Sequence, residues 1–186
     1  MARPTSGSKA GETGRNGYHG KILHFDLQAR TSWIEEPDDE FWRIYSGGGL
    51  LATALLLRDS PPGFGAFDPS NLLVLTSSVV AGHPFAGLAR FTAAAKSPLS
   101  GGIGEARAEG PFGVALKGSG VDTVVCDGRA ERPVSILIED GAVSYLEASD
   151  LWGLPVWVAV DRLAVSRAGS GRRSTRRSLG PPERSW

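Results

Sequence analysis

One cysteine in 186 residues, Cys126, excludes an intramolecular disulfide, and it excludes a four-thiolate iron–sulfur or zinc site built from this chain alone. No apolar run reaches the length of a membrane span, and the opening MARPTSGSKAGETGRNG has no apolar signal-peptide core. The expectation is a soluble protein of a reducing, cytoplasmic compartment with no membrane partner. Histidine is scarce: His19, His24 and His83 are scattered, none with a cysteine or carboxylate at ligand spacing, so no metal ligands are assigned. No Gly-x-Ser-x-Gly nucleophile elbow exists and no catalytic residue is assigned. Cys126 itself lies in the apolar run TVVCDG, where a buried, inert thiol is expected.

Net charge is also absent, with 20 basic and 20 acidic residues, but the balance is uneven along the chain. Ser166 to Trp186 carries six Arg against one Glu, a net +5, and the preceding body carries a net −5. This tail lacks periodicity and apolar mass, so it cannot offset its own ordering entropy, and disorder is expected over 166–186. Its arginines come with no aromatic platform or groove-reading motif, so a nucleic-acid partner is not expected. Residues 1–16 are expected to be a disordered leader.

Between these ends the chain reads as one domain over 17–165. KILHFDL and TSWIEE alternate around the turn QAR, which predicts a β-hairpin. Asp38 is placed to cap a short helix carrying Phe41, Trp42 and Tyr45, and Gly47, Gly48 and Gly49 are read as its end. LLATALLLRD is apolar nearly all round and predicts a buried helix. LLVLTSSVV and LARFTAAAK predict core strands, as does DTVVCDG. Asp140-Gly141 between PVSILIE and AVSYLEA predicts a second hairpin. A helix follows over SDLWGLPVWVAVDRL, with Ser149 or Asp150 as cap and Pro155 near its start. The order hairpin, acidic start, aromatic helix thus occurs twice. The fold class expected is α+β, a β-rich domain of two related halves with mixed or antiparallel sheets, the second half incomplete. Such an incomplete half predicts an exposed sheet edge and apolar face.

KSPLSGGIGEARAEGPFG, Lys96 to Gly113, reads as a glycine-rich loop. Backbone N–H groups of such a loop can converge on an anion where no side chains intrude. Arg90, Lys96 and Arg107 would add positive charge, whereas Glu105 and Glu109 oppose it unless they pair. The spacing is neither a P-loop nor a dinucleotide fingerprint, so a structural loop and an anion cradle both stand on chemistry alone.

Five passages in order resemble the N-terminal domain of the aldehyde:ferredoxin oxidoreductase family, the tungsten- or molybdenum-pterin enzymes. They are GYHGKILHFDLQARTSWIEE, YSGGGLLATALLL, FDPSNLLVLTSSVVAG, the long run from ARFTAAAK to LIEDG, and ASDLWG. The resemblance implies a metallopterin cofactor contacted by Arg90 and by the segment Arg107, Ala108, Glu109 and Gly110. Better-known members look like Asn-Ser-Gly-Gly where this chain has that segment, which leaves a backbone role and questions the side-chain contacts. It further implies aldehyde or oxo-group oxidation, with electrons passing through a [4Fe–4S] cluster to ferredoxin. The cluster's cysteines would belong to further catalytic domains or a partner subunit. The alternatives are an inactive truncated or frameshifted fragment and a basic-tailed interaction module.

Overall fold

The computed structural model describes residues 17–85, 87–139 and 141–169. The expectations for the leader, for Asp140 and for the tail from 170 onward lie outside the described residues. Two compact units are present: one runs to Glu131 and includes Ile136–Leu146, and the other comprises Arg132–Ser135 and the residues from Glu147 onward.

The first hairpin forms as its alternation predicts. β1 (Ile22–Asp26) pairs antiparallel with β2 (Thr31–Glu35), and the Asp26 carboxylate closes the turn by accepting from the Gln28 and Ala29 N–H groups. Asp38 caps α1 (Asp39–Ile44) by accepting from the Phe41 N–H at 2.8 Å, an interaction worth about 1 kcal/mol. Next comes α2 (Gly48–Asp59), which begins inside the glycine triplet rather than after it. β3 (Leu73–Ser77), β4 (Arg90–Lys96), β5 (Ile103–Glu109), α3 (Pro111–Gly118) and β6 (Thr123–Asp127) follow.

These strands form one six-stranded sheet in the order β2-β1-β6-β3-β4-β5, with β1 and β6 parallel and the remaining pairs antiparallel. With a separate two-stranded sheet and four helices among the described residues, the class is mixed α+β, as expected. Both faces of β1 are buried because side chains pack against the sheet from each side. Ile22 joins Val74, Ala94 and Val125 beneath Leu51, Leu55 and Leu56 of α2, while Leu23 and Phe25 pack with Leu116 of α3 and Val124 on the opposite face. Each fully buried leucine contributes about 2 kcal/mol. α2 is only partly covered, contrary to the prediction: Leu50 and Leu57 face outward although Leu51, Ala52, Leu55 and Leu56 are buried. The sheet ends in two edges, β2 and β5.

Two polar clips hold the start of β1. The buried Asp122 carboxylate accepts from the backbone N–H groups of His19, Gly20 and Lys21, at 2.8 Å for Gly20. Lys117 donates to the carbonyls of Gly17, Ser78 and Val79, and desolvation lowers its pKa against the raising pull of Asp122.

β7 (Val134–Glu139) and β8 (Ala142–Glu147) make the second hairpin, and their Ile136, Ile138, Val143 and Tyr145 pack against the Leu23 and Phe25 cluster. In the second unit the Ala148 N–H donates to Pro133 O, and α4 (Val156–Gly169) starts immediately after Pro155. Ser149 and Asp150 therefore lie in a turn several residues before the helix and do not cap it. A proline with no N–H is tolerated at that position and would break the helix if it began earlier.

Candidate functional site

The segment read as a glycine-rich loop is largely regular structure. Residues 97–102 make a turn that satisfies its own backbone, with Gly101 N–H donating to Ser97 O and Ser97 N–H to Gly102 O. Ile103–Glu109 is the edge strand β5, and Pro111 opens α3. Of the backbone donors that a cradle could use, Gly110 N–H is committed to Ala89 O at 2.7 Å.

Strand register decides which of the predicted residues meet. Arg90 pairs with Glu109, Thr92 with Arg107 and Ala94 with Glu105, so alternation along the two strands puts all six on the face that α2 covers. Phe91 and Ala108 are paired on the opposite face, which removes the Ala108 side chain from the site. Gly110 lies beyond the strand as the N-cap residue of α3. Lys96 is at the far end of β4, where its ammonium donates to Phe64 O and lies over the Phe64 ring, so it does not join the arginines.

Arg90, Phe91, Thr92, Arg107, Thr76 and Ser78 line a cleft of about 370 Å³, completed by Gly47, Gly48, Gly49 and Leu50 at the start of α2. The glycines are required by geometry. Gly47 has φ 112°, it bridges to Ser78, and a Cβ there would lie 2.6 Å from the Ser77 carbonyl oxygen. Gly48 also has a positive φ of 61°. No side chain caps α2 and no acidic residue occupies its first turn, so its leading N–H groups carry their partial positive charge toward the cleft.

Two guanidinium groups, a helix amino end and a hydroxyl form a donor set suited to an anionic oxygen ligand. Two carboxylates oppose it. Arg107 Nε lies 2.5 Å from Glu105 Oε1, and Arg90 Nε lies 3.7 Å from Glu109 Oε2. The Thr76 hydroxyl is satisfied by Ser77 O and by the Thr123 hydroxyl. Thr92 is 4% exposed as a residue, and its hydroxyl, which makes no hydrogen bond among the described residues, opens onto the cleft. The glycine triplet and Thr92 were not legible as site residues. Glycines directly before an apolar helix were the available signal, because a helix amino end approached without side chains can bind anions.

Elsewhere, His24 is buried as a strand residue, stacked on Trp33 at 4.8 Å and hydrogen-bonded to Glu35 at 2.8 Å. Arg58 holds the same carboxylate with two bonds and also binds Asp59. Burial raises the Glu35 pKa, but the hydrogen bonds from Arg58 and His24 outweigh it and leave the group below its ordinary value. Cys126 is half-buried in β6, and burial pushes its thiol up to about 11. Among the described residues no cluster of His, Cys, Asp and Glu could hold a metal, and no helix is long and apolar enough to cross a membrane.

The family sequence model for the N-terminal domain of aldehyde ferredoxin oxidoreductase matches residues 22–181. The chain belongs to this family. It is 34% identical over 140 residues to the tungsten-containing aldehyde ferredoxin oxidoreductase of Pyrococcus furiosus, covering 75% of this chain and 23% of that one. Against the enzyme of the same name from Thermococcus kodakarensis it is 32% identical over 165 residues, covering 89% and 27%. It also resembles the subunit of an aliphatic sulfonate oxidoreductase from Pyrococcus furiosus, at 28% identity over 141 residues, covering 74% and 22%. The chain thus spans about a quarter of the length of the curated relatives it matches. In fold it matches the active-site complex of a benzoyl-coenzyme A reductase bound to a dienoyl-CoA, with TM-score 0.77 and 22% identity, covering 83% of this chain and 24% of that one.

Proposed function

We propose that this chain is the metallopterin-binding domain of an aldehyde ferredoxin oxidoreductase-type enzyme, and that the cleft at the amino end of α2 holds the phosphate end of a tungsten- or molybdenum-pterin. The carrying observation is the convergence of Arg90, Arg107 and the uncapped glycine start of α2 on one cleft. The residues fit such a group. Guanidinium forks match paired phosphate oxygens, and glycine backbone allows close approach. The carboxylates of Glu105 and Glu109 each pair with an arginine, so a phosphate would bind in exchange for them.

When bound, the metallopterin would supply oxidation of an aldehyde or related oxo substrate, with electrons leaving through a [4Fe–4S] cluster to ferredoxin. The chain's own part is to bind and orient. Arg90 and Arg107 hold negative charge, the first turn of α2 donates from its backbone, and the buried floor of Thr76 and Thr92 fixes the depth of approach. With one cysteine, this chain does not supply the cluster's four thiolates, so further catalytic domains or a partner subunit would provide them. The lone thiol supports a reducing, cytoplasmic setting.

The test is to produce the full chain in a host that makes tungsten- or molybdenum-pterin, alone and with candidate catalytic polypeptides. Metal analysis and fluorescence of the oxidised pterin should show both groups on the wild type and their loss in an Arg90→Ala, Arg107→Ala double variant. Absence of both from the wild type, with and without partner polypeptides, overturns the reading.

A further inference from the structure

Glu105 stands where a ligand anion would be expected. Its carboxylate lies so close to Gly49, in the first turn of α2, that a Cβ at that glycine would collide with it. A negative group at a helix amino end is electrostatically favoured, and α2 has no acidic residue of its own there. Arg107 holds the carboxylate from the other side at 2.5 Å. The same cleft contains an unused donor: the Thr92 hydroxyl, on a side chain that is almost wholly buried, has no described partner and lies 3.8 Å from where a Cβ on Gly48 would be. The hydroxyl opens onto the cleft, so it is available to donate to a ligand oxygen there.

We infer that Glu105 is a resident competitor at the anion position, and that a ligand phosphate binds by displacing it from Gly49 and Arg107 and taking the Thr92 hydroxyl as an added donor. This deepens the cofactor-cleft reading and rests on it. The displacement is physically accessible because the pair is open to solvent, with the Arg107 side chain 71% exposed and that of Glu105 30%, and such a pair is held weakly. Glu109 differs in position: it pairs with Arg90 at a looser 3.7 Å, and none of its atoms is among those nearest the glycines of α2. The consequence is selectivity. A singly charged anion gains little by replacing one carboxylate with another, whereas a phosphate ester or diphosphate brings surplus charge.

Inorganic pyrophosphate, titrated into the full-length chain and followed by calorimetry, tests this without any metallopterin. Glu105→Gln and Glu105→Ala are each expected to tighten binding about fivefold, the scale of a charge at a helix terminus. Thr92→Val is expected to weaken it about fivefold, the scale of one hydrogen bond. Glu109→Gln should change it by less than Glu105→Gln does. Circular dichroism melts verify that each variant is folded, and Glu105→Gln, which keeps the side chain's shape, decides if the alanine variant is not. If Arg90→Ala and Arg107→Ala lose binding while the Glu105 variants match wild type, or if Glu109→Gln gains as much as Glu105→Gln, the competitor role is overturned and the cleft reading stands. If the arginine variants bind as wild type does, or if no variant binds, both are overturned.

Discussion

Replacing Asp122 with alanine is expected to lower the unfolding free energy by about 3 kcal/mol, since bonds to a charged group contribute about 1.5–3 kcal/mol and orphaned buried donors add to the loss. The carboxylate accepts from three successive backbone N–H groups, of His19, Gly20 and Lys21, at distances from 2.8 to 3.2 Å. The Gly20 bond is fully buried, so its N–H finds no water when the carboxylate is removed. The other two are partly buried and recover some solvation, which is why the three costs do not simply add. Asp122→Asn keeps one acceptor oxygen and loses the charge, and about half the effect is expected. Urea unfolding followed by tryptophan fluorescence reads both variants. With an m-value of about 2 kcal/mol/M, the alanine midpoint should fall by about 1.5 M at unchanged m. An alanine variant within about 1 kcal/mol of wild type, or an asparagine variant as unstable as alanine, would refute the reasoning, because one buried orphan alone carries about that cost.

Gly47→Ala forces a side chain into a positive-φ position against the Ser77 carbonyl, and a loss of about 3 kcal/mol in the same assay is expected together with loss of pyrophosphate binding. An alanine variant as stable as wild type would contradict that geometry. Cys126, with its thiol pushed up to about 11, should be about 0.1% thiolate at pH 8. Ellman's reagent should therefore label it slowly until urea unfolds the chain, and rapid labelling of the native protein would contradict its burial. Glu35 has its folded pKa held below the ordinary 4.5, so its contribution is fully present above that pH and disappears as pH falls through the folded value. Glu35→Gln should flatten the acid limb of a stability-against-pH profile, and superimposable profiles for the two proteins would argue against the network.

The hairpins, the Asp38 cap and the core strands were legible because each is encoded locally, by alternation, by a turn, or by a short polar side chain ahead of an aromatic helix. β5 was not. Glu105, Arg107 and Glu109 alternate with Gly104, Ala106 and Ala108, a two-residue period whose one large apolar member is Ile103 at the strand's start, so the segment reads as a loop until β4 pairs with it. The start of α2 was missed for a related reason: glycines usually end helices, and only the close approach to Ser77 and Glu105 explains why they begin this one. Arg90 and Arg107 were both singled out, yet their meeting depends on strand register, as does the exclusion of Ala108, whereas Lys96 is excluded by its place at the far end of β4. Asp122 drew no notice because its partners lie about a hundred positions earlier, at His19 to Lys21.

The parallel contact between β1 and β6 orders events on the ribosome. Ile22 to Asp26 take as neighbours Thr123 to Asp127, residues that emerge about a hundred positions later. At roughly 5–20 residues per second, the first strand waits about 5–20 s before its second flank exists. During that interval its Leu23 and Phe25 face lacks the Leu116, Val121 and Val124 that later cover it. A nascent chain halted before Asp127 therefore presents an open apolar strand, and chaperones that bind extended apolar segments would find their earliest target at the amino end rather than at the growing one.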